Sequence, residues 1–125
     1  MLNAVNLEEV RSKAKALAEA KLSDGKNADE FIEIANADGF KIYVVAGKTL
    51  ADQKPRAFHA NARDVFMLVL EGAMEFTFEN RKKTIVKAKE CFVLPKRLKH
   101  KCVFKKMTVV VEGVYEKSLY NWRQK

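Results

Sequence analysis

Hydrophobic positions change period once along the chain. Over residues 7–17 they recur three and four apart, as Leu7, Val10, Ala14 and Leu17, which predicts a helix with one apolar stripe. Asn6 supplies a capping side chain, Glu9 follows three residues on as in a capping box, and Ser23-Asp24-Gly25 stops the helix. The stripe is alanine-rich, so the helix is expected to pack on a larger body. From residue 30 the apolar period becomes two. The predicted strands are Glu30–Ala35, Phe40–Ala46, Arg56–Asn61, Val65–Leu70, Ala73–Glu79, Thr84–Ala88, Cys91–Leu94, Lys99–Lys105 and Thr108–Glu116. Asp38-Gly39, Glu71-Gly72, Asn80-Arg81 and Pro95-Lys96 mark turns between them.

Two strands have informative faces. In Ala73–Glu79, Met74, Phe76 and Phe78 point one way, while Glu75, Thr77 and Glu79 point the other. In Val65–Leu70 both faces are apolar, with Val65, Met67 and Val69 on one and Phe66, Leu68 and Leu70 on the other. A strand buried on both sides needs cover from outside its own barrel. The N-terminal helix, a second subunit or both would supply it, and a homodimer is expected. Short strands with frequent turns indicate an all-β sandwich or barrel carrying one N-terminal α-helix. The 125 residues suit one domain, with residues 1–29 forming the helix and its connection and residues 30–125 the barrel.

Composition narrows the class without naming a function. Hydrophobic residues make up 48% and charged residues 32%, which describes a soluble globular chain. The longest apolar run, Val65 to Leu70, is too short to span a membrane, and no membrane partner is expected. The N-terminus carries Glu8 and Glu9 and no basic stretch followed by an apolar one, so a cytoplasmic location is expected. Cys91 and Cys102 have neither redox-pair nor zinc-site spacing and read as reduced structural thiols. Five glycines leave no phosphate-cradling loop, and no nucleophile–base pair stands out. Paired carboxylates for acid–base work are not expected either, because the inward positions identified by strand parity are not acidic.

The net charge of +8 is unevenly spread. Residues 1–60 hold nine basic and nine acidic side chains, and residues 61–125 hold 15 and seven, so the second half carries all of it. Residues 81–106 contain eleven Lys or Arg and one acid, Glu90. Such a segment suits an anionic partner, although outward lysines at 99, 101 and 105 also suit a plain solvated face. A nucleic-acid platform is disfavoured, because aromatic residues do not interleave with the basic ones.

Only two histidines occur, His59 and His100. His59 opens HANARDVFMLVLEG, and His100 closes PKRLKH. Both segments resemble the two motifs of the cupin superfamily. The end VFMLVLEG matches the first motif closely, with Gly72 thirteen residues after His59. Pro95 and His100 match the second, whose two glycines are replaced by Lys89 and Arg97 and whose asparagine is replaced by Phe104. The resemblance covers residues 40–116 and implies a double-stranded β-helix, or jelly-roll, barrel.

What the resemblance implies about a site is mixed. Metal-binding cupins use two histidines and a glutamate from the first motif and one histidine from the second. By position these fall on His59, Asn61, Val65 and His100, so the implied metal set is His59, Asn61 and His100. Asp64 would join only if a bulge turned it inward. Cys102 shares the parity of His100 and lies deeper. One divalent ion is the implied cofactor, with Zn, Ni, Fe and Mn not separable. Inward His59, Asn61 and His100 among Val65, Met67 and Phe76 also read as a small-molecule pocket, with apolar walls and a few convergent polar groups. The leading expectation is a single-domain cupin that binds a small, anionic molecule or a weakly held divalent metal. The alternatives are a metal-dependent enzyme resembling cupin isomerases or dioxygenases, and an adaptor that binds an anionic partner or nucleic acid through residues 81–106.

Overall fold

The structure is a computed structural model that describes residues 4–50 and 57–115. It opens with helix α1, Leu7–Ser23, and the Asn6 side-chain oxygen accepts the Glu9 backbone N–H at 3.1 Å. The strands are β1 (Ala28–Ala37), β2 (Phe40–Lys48), β3 (Val65–Glu71), β4 (Ala73–Phe78), β5 (Lys83–Lys87), β6 (Cys91–Leu94), β7 (His100–Val103) and β8 (Thr108–Tyr115). The expected strand at 56–61 is reduced to a single antiparallel bridge at His59, and Arg56 lies outside the described residues. No helix among the described residues is long and apolar enough to cross a membrane.

The strands form two antiparallel sheets, one in the order β1-β2-β8-β3-β6 and the other β5-β4-β7. The expected barrel is thus a pair of facing sheets whose ladders do not close into a ring. Their inner faces share one core, with Val65, Met67, Val69, Leu94 and Val110 from the first sheet and Met74, Phe76 and Val86 from the second. Parity along β3 is as expected, since Val65, Met67 and Val69 are all buried while Phe66 is exposed. Helix α1 covers the other side of the first sheet. Ala14 and Ala18 pack on Ala28, Val44, Ala46 and Val109, and these small side chains let the helix approach closely. Lys15 also reaches Glu71 at the end of β3, 2.8 Å away.

The crossing between sheets is at Gly72, which has φ +82°. A Cβ there would stand 2.5 Å from the Met107 carbonyl oxygen and 2.5 Å from Thr108 Oγ1. Thr108 is buried, and its hydroxyl accepts the Ala73 N–H at 3.2 Å. The turn therefore needs both the left-handed backbone and the missing side chain.

Candidate functional site

His59 and His100 are joined through their backbones. The His59 N–H donates to the His100 carbonyl at 3.0 Å, and the His100 N–H donates to the His59 carbonyl at 2.9 Å. Their rings lie 4.4 Å apart, inclined at 56°. His59 is exposed, whereas His100 is only 3% exposed. The His100 Nδ1 is 2.8 Å from the Leu98 carbonyl oxygen. A carbonyl only accepts, so Nδ1 carries the hydrogen, and in the neutral ring Nε2 keeps its lone pair for another partner. The buried ring also meets Phe76 edge-on at 5.9 Å, and Phe76 meets Phe92 at 5.3 Å. The imidazole pair thus borders the apolar core that holds Val65, Met67 and Phe76.

The loop before His100 is clamped to the segment after His59. The Arg97 N–H donates to the Asn61 carbonyl at 2.9 Å, and the Lys96 N–H donates to Asp64 Oδ1 at 2.7 Å. Asn61 is half-buried, and that backbone contact ties it to the loop. Asp64 is exposed and turned to the loop, so the inward bulge that would make it a ligand does not occur. Cys102 lies opposite Phe76 in the β4–β7 ladder and is half-buried, while Cys91 is exposed.

Cross-strand register reveals an inward carboxylate that parity alone did not identify. Glu33 pairs with Tyr43, Tyr43 with Glu112, Glu112 with Met67, and Met67 with Phe92, forming one row across the first sheet. Val110 and Val114 flank Glu112 on the same strand face and belong to the inner core or pack against it. Burial, and secondarily the charge of Asp29, raise the Glu112 carboxyl from 4.5 to about 7. The expectation that no inward position is acidic is therefore corrected. A signal was present, since Glu112 is the one charge within VVVEGVY and shares parity with Val110 and Val114.

No protein-family model matches the chain, and no curated protein matches it. Solved structures do. A cupin-2 domain-containing protein from Shewanella frigidimarina superposes with a TM-score of 0.59 at 21% identity, over 76% of this chain and 88% of that one. The Clostridium difficile EutQ protein gives 0.67 at 11% identity, over 90% and 86%. The salicylate 1,2-dioxygenase from Pseudoaminobacter salicylatoxidans gives 0.68 at 13% identity, over 89% of this chain and 33% of that one. The chain has the cupin fold.

Both departures of the second cupin motif from glycine now have a backbone meaning. Lys89 has φ 73° and Arg97 φ 66°, so both turns have the left-handed geometry that favours glycine although neither residue is glycine. The metal-binding half of the cupin pattern fits less well. The carboxylate position, Val65, is buried in the core, and Asp64 is occupied by the Lys96 N–H. Among the described residues no group of three His, Cys, Asp or Glu side chains comes together to hold a metal. Two imidazoles without a carboxylate do not offset the charge of a divalent ion, so the residues present do not fit a tightly bound metal.

Two of the outward lysines of the basic segment stand near carboxylates. Lys105 Nζ lies 3.3 Å from a Glu75 oxygen, and Lys99 Nζ lies 3.9 Å from a Glu79 oxygen. Lys101 holds its ammonium 4.4 Å from the Phe58 ring centroid, one residue from His59.

Proposed function

We propose that this cupin-fold chain binds a small organic molecule between its two sheets, with no metal required. One observation carries the proposal: a buried imidazole, His100, with Nδ1 committed to the Leu98 carbonyl, stands against the exposed His59 ring beside an apolar core. A ligand with an apolar body would lie along Met67, Phe76 and Phe92 and place its polar group at the His59–His100 pair. Lys96, Arg97, Lys99 and Lys101, which adjoin His100 in sequence, favour an anionic group and speed its arrival. Glu112 adds a carboxyl that exchanges its proton near neutral pH, the property expected of a group in a binding or reacting interior.

The test is thermal-shift screening of tag-free protein against small carboxylic acids with varied apolar bodies, alongside elemental analysis. A carboxylate that raises the melting temperature of the wild type and not of His100→Ala supports the reading. Stoichiometric metal that disappears in both His59→Ala and His100→Ala would replace it with a metal-centred one.

A further inference from the structure

Positive charge collects on the outer face of the smaller sheet. Phe76 and His100 are buried on its inner side, so their neighbours Thr77 and Lys101 point outward, as Lys83 and Lys87 do beside inward Val86. The ladders set Lys83 opposite Thr77 and Thr77 opposite Lys101, in one row across all three strands. Adjacent strands lie about 4.8 Å apart, so the two lysine backbones flank the threonine about 10 Å from each other. Lys99 and Lys105 have carboxylate partners. Among the described residues Lys83 and Lys101 have none.

Phe58 extends the row. It adjoins the His59 bridge and is 38% exposed, and its ring centroid lies 4.4 Å from the Lys101 ammonium. Sequence order keeps aromatic residues away from the basic segment, but the fold brings one to it. Arg81 and Lys82, in the turn that leads into β5, prolong the positive strip. Helix α1 packs on the larger sheet, and Ile85 on this face is 55% exposed.

We propose that this face binds single-stranded nucleic acid, with phosphates along Lys83, Thr77 and Lys101 and a base at Phe58, independently of any ligand between the sheets. Charge complementarity selects a polyanion. Protein partners fit poorly, because lysine is depleted from protein–protein contacts, whereas nucleic-acid contacts are strongly basic. A membrane would draw Ile85 and Val103 into its apolar layer. Glu75 stands between them in the ladder, so insertion would carry a carboxylate along. A duplex is read by an element that enters its groove, and among the described residues this face is a sheet without a helix. A single strand needs only cations along its backbone and an aromatic ring for a base.

The test is fluorescence anisotropy of labelled oligothymidylate with the full chain over a range of salt. The wild type should bind, with an affinity that falls steeply as salt rises. Lys83→Gln combined with Lys101→Gln should make the log–log salt slope shallower by about 1.4, at about 0.7 per phosphate contact, with unchanged circular dichroism. Lys101→Arg keeps the charge and should keep the slope. Lys13→Gln combined with Lys26→Gln removes the same charge from exposed positions at helix α1 and should leave the slope as it is. Phe58→Ala should weaken oligothymidylate at least about fivefold, and an abasic strand less. No binding, equal losses in the two double variants, or a duplex held as tightly as the single strand overturns the proposal. So does binding confined to phosphatidylserine vesicles.

Discussion

His59 and His100 exchange both backbone hydrogen bonds of one antiparallel bridge, at 3.0 and 2.9 Å, yet only His100 is buried. The bridge belongs to the backbone, so removing either side chain leaves it intact. The rings differ in what they hold: His100 fills space against Phe76 and donates from Nδ1 to Leu98.

His100→Ala should therefore cost about 2–3 kcal/mol, from lost packing and an orphaned carbonyl, and His59→Ala less than about 1 kcal/mol. Urea unfolding of the two variants checks this. Equal losses would mean that the two rings contribute alike, against the burial difference.

Glu112 makes stability depend on pH. The unfolded carboxyl loses its proton near 4.5 and the folded one near 7, so between those values the native chain holds a proton that the unfolded chain has released. Stability contributed by this group is complete below the lower value, falls as pH rises through the window and stays low above it. That separation corresponds to on the order of 3 kcal/mol. Glu112→Gln should remove most of that slope, stabilising the protein at about pH 8 and changing little at about pH 4. Parallel urea titrations at the two pH values read it directly, and an unaltered slope in the variant would assign the dependence to other groups.

Gly72 and Gly25 both have positive φ, but only Gly72 has no room for a side chain. Gly25→Ala should cost about 1–2 kcal/mol for the left-handed backbone alone. Gly72→Ala adds overlap with Met107 and Thr108 and should cost at least about 3 kcal/mol. Melting midpoints that drop by the same amount in both would show that the Gly72 turn relaxes freely.

Lys89 and Arg97 reverse the usual expectation for glycine substitutions. Their left-handed backbones cost each about 1–2 kcal/mol, while glycine adds only about 0.5–1 kcal/mol of unfolded-chain entropy. Lys89→Gly and Arg97→Gly should therefore stabilise by up to about 1 kcal/mol, whereas Lys87→Gly, within β5, should destabilise. Destabilisation in all three would point to a role for the Lys89 and Arg97 side chains that outweighs backbone strain.

Much of the fold was legible because side-chain alternation is local. Val65, Met67 and Val69 could be assigned inward, and Met74, Phe76 and Phe78 likewise, from a period of two alone. The turn at Gly72 and the cap at Asn6 could be read in the same way. Asp64 could not, because its partner, the Lys96 N–H, lies 32 residues away and appears only when the loop folds back. The segment 56–61 misled because an alternating pattern does not guarantee a partner strand, and among its described residues only His59 forms a bridge.

The sequence by itself determined the helix, most of the strands, the inward faces of β3 and β4 and the resemblance to cupins, since these depend on neighbours a few residues apart. It also located the two histidines in their motifs, and the charge imbalance between the halves of the chain. Only tertiary structure decided that the sheets face each other without closing, that His100 is buried and its tautomer held, and that Glu112 stands beside Met67. Each of these depends on strands that are distant in the chain and adjacent in space. Burial, which raises the Glu112 carboxyl and separates the two histidines, is a property of that assembly and not of local pattern.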